Sequence, residues 1–167
     1  MSHADRDVRV ARELGRAGVA ANRNAIKAGE LAVAANKVSA RRMALGAEAL
    51  RDPSGGDYAE FAKIIPEKAS AISEMNVTLA FRAGDIARQA AGFSATEMAA
   101  ATTFAMEIAM CRDPARLLTL QRDFALSCTA RCLSHFISIG AAVMRAQGAA
   151  LSPFHRASVA NARRLDP

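Results

Sequence analysis

Tyr58, Ile65, Ile72, Leu79, Ile86 and Phe93 recur at seven-residue intervals, and Ala62, Ala69, Asn76, Ala83 and Ala90 each stand four residues further on. A 4, 3, 4, 3 spacing draws one apolar stripe along an α-helix. Held over about five heptads, it describes the seam of a coiled coil or of a long bundle helix. One flank of the stripe is bulky and the other almost all alanine, so a partner helix can approach closely there.

The first part of the chain repeats the design. Val10, Ala17, Asn24, Leu31, Val38 and Leu45 form a stripe, with Leu14, Ala21, Ala28, Ala35, Arg42 and Ala49 beside it. Free of proline, this stretch predicts a helix over 5–50. Asp52, Pro53, Ser54, Gly55, Gly56 and Asp57 then make a turn. A second helix is expected over 57–91, N-capped by Asp57, kinked at Pro66 and closed by Gly92. Ser94 and Glu97 fit a capping box that opens a third helix over 95–111. Asp113 and Pro114 start a fourth over 114–147, ended by Gly148, and Ser152 and Pro153 start a short last one over 153–164. No segment carries a strand signal. The expected fold is all-α, with long amphipathic helices in an elongated bundle or coiled-coil arrangement, as a single domain 1–167.

Alanine makes up roughly a quarter of the 167 residues, aromatics 5%, and tryptophan is absent. A buried methyl contributes about 0.8 kcal/mol against about 1.5–3 kcal/mol for a buried leucine or phenylalanine. Such a core is wide but shallow, and the bundle is expected to open or to need partners. Homo-oligomerisation follows, with Ile65, Ile72, Leu31, Val38 and Leu45 as the candidate seam. Asn24 and Asn76 interrupt the two stripes, where a seam asparagine sets register and oligomer state. A hairpin turning near Ser54 places Asn76 opposite the region of Leu31, not opposite Asn24.

Most of the net charge of +6 sits early in the chain. Arg6, Arg9, Arg12, Arg16, Arg23, Lys27, Lys37, Arg41, Arg42 and Arg51 face only Asp5, Asp7, Glu13, Glu30 and Glu48. A basic face attracts nucleic acid or anionic headgroups, or is simply solvated. No base-stacking aromatics stand among these arginines, so nucleic acid is not an expected partner. Three cysteines without disulfide-like spacing point to a reducing compartment. The first residues lack the basic-then-apolar order of a signal peptide. Residues 124–144 come nearest to a membrane span, but Arg131 and His135 fall in the middle, so a buried or surface-adsorbed helix is expected instead.

Cys128, Cys132 and His135 share one helix face, with Cys111 or His155 as a further ligand only by assumption, so no metal or cofactor is expected. Ser134 and His135 diverge by about 100° on a helix and make no nucleophile pair. Glu67, Lys68, Glu97 and Glu107 read as surface or capping charges. No constellation fits an enzyme.

Five segments together resemble the phasins, small bacterial proteins that coat polyhydroxyalkanoate storage granules. They are Ala40 to Gly46 (ARRMALG), Tyr58 to Phe61 (YAEF), Ile65 to Lys68 (IPEK), Pro153 to Phe154 with His155 and Arg156 (PFHR), and Asn161 to Leu165 (NARRL), joined by the Asp113–Pro114 helix start. The alanine-proline-lysine tail of DNA-binding granule proteins is missing. The resemblance implies a non-enzymatic, cytoplasmic, granule-associated coat protein whose partner is the polymer surface, with granule-associated enzymes as further candidates. Leu79, Ile86, Phe93, Phe124, Leu133, Phe136 and Ile137 are the expected polymer contacts. An oligomeric cytoplasmic scaffold and a basic nucleic-acid-binding protein are the alternative readings.

Overall fold

A computed structural model describes residues 3–166, with side chains for residue 8 and from residue 10 onward. The arginines and aspartates expected at 5–7 and Arg9 lie outside the described side chains. Three long helices follow one another: α1 (His3–Arg51), α2 (Tyr58–Met110) and α3 (Pro114–Arg164), with a single 3-10 turn at Pro53–Gly55. The helices pack against each other and no strand occurs among the described residues, so the chain is all-α.

Both connections form where the sequence places them, and side chains explain why. Asp52 accepts from Ser54 N at 3.1 Å and from Ser54 Oγ at 2.6 Å, which closes the 3-10 turn. Gly56 sits in a crowded spot, since a Cβ there would lie 2.9 Å from the exposed Tyr58 ring, which would have to shift, and 3.0 Å from Ala49 Cβ. Asp57 accepts from Glu60 N at 3.0 Å and Asp113 from Ala115 N at 2.9 Å, two N-caps that satisfy otherwise unpaired amides.

Two expected breaks are absent. The stretches expected at 57–91 and 95–111 form the continuous α2, in which Thr96 Oγ1 merely back-bonds to Gly92 O at 2.9 Å. Glu97 is drawn away from capping by Arg131 of α3. The stretches expected at 114–147 and 153–164 likewise form the continuous α3. There α1 braces the helix across the breakers. Lys27 Nζ donates to Gly148 O at 3.1 Å and to Ser152 Oγ at 2.8 Å, and Asn24 Nδ2 donates to Met144 O at 2.7 Å. A Cβ at Gly148 would collide with the Asn24 amide, so here glycine permits close approach rather than ending a helix.

Packing divides the chain into two compact units. Unit A comprises the start of α1 up to Ala17 with Ala83–Val143, and unit B comprises Gly18–Arg82 with Met144–Pro167. The first-helix stripe packs as expected: Val38 is buried, while Val10, Ala17, Asn24, Leu31 and Leu45 are half-buried. Of the row four residues on, Ala35, Arg42 and Ala49 are half-buried while Leu14, Ala21 and Ala28 are exposed; in the first half of α1 Glu13, Ala20, Lys27 and Ala34, three residues on, pack instead.

Candidate functional site

Unit B closes around charge. Arg42 of α1 donates to Glu60 Oε1 through Nε at 3.1 Å and Nη2 at 2.8 Å, and to Glu67 Oε2 at 2.9 Å. From α3, Arg164 pairs with both carboxyls and Asn161 donates to Glu67 Oε2 at 2.8 Å. Two guanidiniums thus meet two carboxylates, and all three helices contribute. Glu60 is 1% exposed. Arg164 and then Arg42, by hydrogen bonding against the cost of burial, hold its carboxyl at about 2 rather than the ordinary 4.5. His155 with Glu30 (2.7 Å) and Arg156 with Glu74 add bridges at the surface of the same unit.

This cluster was not legible residue by residue, since Glu67 reads as a surface charge in the sequence. One signal was available: Arg42 breaks the alanine row beside the first stripe. Four of the segments that carried the family resemblance supply its members, namely Arg42, Glu60, Glu67 and the pair Asn161 and Arg164.

Unit A is built differently. Among the described residues, the buried apolar side chains apart from Pro153 are Ala34, Val38, Ala71 and Ala146 in unit B and only Ala141 and Ala142 in unit A. The large side chains of unit A are half-buried or exposed. Phe104 stacks on Phe124 at 4.1 Å between centroids, and Phe93 stacks on His135 at 4.0 Å. Arg131 forks onto Glu97 and lies 6.0 Å from the Phe124 ring. That pairing holds the Glu97 carboxyl below its ordinary range. Burial first, then Cys132, raises the Cys128 thiol, which disfavours a reactive thiolate. Among the described residues no three His, Cys, Asp or Glu side chains are placed to hold a metal ion.

The opposite side of α3 is bare. Leu118, Leu126, Leu133, Phe136 and Val143 fall in a sector roughly 100° wide and are 67, 64, 57, 71 and 43% exposed. By length and composition α3 is apolar enough to cross a bilayer, with an 18-residue window of mean hydropathy 1.3, and only 11% of that window is buried.

The expected contact residues therefore separate. Leu133 and Phe136 lie on this bare stripe, whereas Phe93, Phe124, Ile86 and Ile137 are half-buried within unit A and Leu79 is exposed in unit B. Leu118, Leu126 and Val143 were missed because apolar residues surround α3 in sequence, and only packing shows which side stays open. The candidate seam separates too. Leu31, Val38 and Leu45 pack inside unit B, whereas Ile65 and Ile72 face outward at 79 and 45% exposure.

No curated protein and no solved structure matches the chain. A family model described as "Phasin protein" matches residues 59–157, more than half of the chain. That span contains Glu60 and Glu67, the aromatic pairs and the whole bare stripe of α3, while Arg42, Asn161 and Arg164 lie outside it. The protein belongs to the phasin family.

Proposed function

We propose that this protein is a non-enzymatic coat of polyhydroxyalkanoate granules in the cytoplasm, adsorbing through unit A. The observation that carries the reading is the bare stripe of α3, an apolar surface with no cover in its own unit. A polyester body in water presents an apolar boundary that such a stripe can meet while neighbouring arginines stay wet. Arg131 and His135 sit mid-helix with partners inside unit A, which suits a helix lying on an apolar phase better than one crossing a bilayer.

Contact begins at Leu126, Leu133 and Phe136, and opening of unit A then adds Phe93, Phe104, Phe124 and Ile137. About 1,000 Å² of further apolar burial is worth about 25 kcal/mol before ordering costs. That exceeds the roughly 5–15 kcal/mol that holds a typical domain together. The shallow core of unit A fits this exchange, because half-buried aromatics lose little on leaving it.

A fluorescently tagged protein in a polyester-accumulating bacterium tests the reading, with a strain unable to make polymer as control. Rings around stained granules, absent in the control, are the expected outcome, and Leu126→Asp with Phe136→Asp is expected to disperse them. Diffuse signal in both strains overturns the coat role. Undiminished rings with the double variant remove α3 from it.

A further inference from the structure

We propose that unit B carries a binding groove for a free medium-chain aliphatic carboxylic acid, its carboxylate met by Lys68 and its chain lying between the three helices. A cavity of about 450 Å³ opens beside the ionic cluster, within the roughly 300–1,000 Å³ of small-molecule sites. Val38 and Ala71 form its buried floor, and Ile64, Phe154 and Ala157 its half-buried walls. From Ala35 to Met43, α1 borders it over about 12 Å at the helical rise, close to the length of an extended chain of about ten carbons.

The polar lining selects the occupant. Glu67 is already satisfied, since its Oε2 accepts from Arg42 and Asn161 and its Oε1 from Arg164. Arg42 in turn is divided between Glu60 and Glu67. Lys68 borders the same groove and has no ion pair among the described residues, so one positive charge is left over there. Its exposed side chain can lay an apolar stem along the groove while the ammonium stays at the mouth. Ser39 and Ser158 also line the groove, and their hydroxyls have no hydrogen-bond partner among the described residues, whereas Ser152 of α3 bonds back to Gly148 O at 3.0 Å. One spare cation and two spare hydroxyls beside an apolar cavity match a monoanion with a hydrocarbon chain. A doubly charged phosphate would press its second charge toward Glu67, and a neutral chain would leave Lys68 unanswered. The site does not depend on adsorption through unit A.

Methyl NMR of the methionines in the full chain, with no polymer present, tests this. Met43 borders the groove, while Met98 and Met110 stand exposed in unit A. Titration with decanoate is expected to shift Met43 saturably and to leave Met98 and Met110 in place. The neutral amide of the same chain length is expected to bind about tenfold more weakly, the scale of one hydrogen bond to a charged group. Lys68→Gln is expected to remove that preference for the acid, and the unmoved Met98 and Met110 signals show in the same spectrum that the variant is folded. Parallel shifts of all three methionines mean indiscriminate adsorption of the chain and overturn the site, as does equal affinity for acid and amide. A preference for the acid that survives Lys68→Gln overturns the role of Lys68.

Discussion

Unit B is sealed by ions and unit A by stacked rings, and the two kinds of closure fail under different conditions. An aromatic pair that separates in front of an apolar phase exchanges one apolar neighbour for another. A carboxylate torn from two guanidiniums finds nothing in that phase to replace them. In the proposed adsorption, the cluster of Arg42, Glu60, Glu67 and Arg164, with Glu60 buried at its centre, is what keeps unit B shut, even though buried ion pairs in general add little net stability. A domain of unpaired leucines could have been as stable, but it would not discriminate between staying folded and spreading.

The sharpest way to break the comparison is Glu60→Ala, which leaves Arg42 and Arg164 to share the Glu67 carboxylate alone. A loss of about 3–5 kcal/mol is expected in urea unfolding, with amide exchange accelerating in unit B first. An effect spread evenly over both units would dissolve the distinction.

Acid is the milder form of the same experiment. With its carboxyl at about 2 instead of 4.5, Glu60 contributes stability that is fully present above about pH 5 and is lost as the pH falls toward 2. The difference amounts to about 3 kcal/mol. Glu97 moves in the same direction through Arg131, so amide protection, referred to the intrinsic exchange rate at each pH, is expected to fall in both units as the pH is lowered, and more steeply in unit B. Glu60→Gln should flatten the unit B response.

Gly148→Ala sharpens the contrast from the side of packing. The added methyl meets the Asn24 amide, and a cost of about 1–3 kcal/mol is expected in denaturant titration. Asn24→Ala in the same chain should return part of that loss, because it clears the space.

The smallest effect is expected for Phe104→Ala. It removes a half-buried stacked ring whose pairing is worth about 0.5–1.5 kcal/mol beyond its area. Amide exchange in unit A is expected to quicken while unit B is unchanged, and adsorption to polymer particles should persist, since Leu126, Leu133 and Phe136 are untouched.

Sequence patterning showed where helices form better than where they stop. The stripe from Val10 to Leu45 packs as its spacing implies, and the caps at Asp57 and Asp113 form because both are local. Gly92 and Gly148 carry helix-ending signals that tertiary contacts override, through Arg131 drawing on Glu97 and through Lys27 and Asn24 holding α3. The ionic cluster showed only through Arg42 breaking the alanine row, because its members come from sites up to 122 residues apart in number, Arg42 and Arg164 among them. The α2 heptads were plain from the start, but a period says only that a face is apolar. Which body covers it depends on the other helices.

The cluster also has a thermal consequence. The cost of withdrawing charges from water falls as temperature rises, so an ionic closure loses less on heating than a thinly buried aromatic one. Unit A should then loosen below the temperature at which unit B melts. Over that interval the chain is a folded handle bearing a spread apolar segment, and one melting temperature does not describe it.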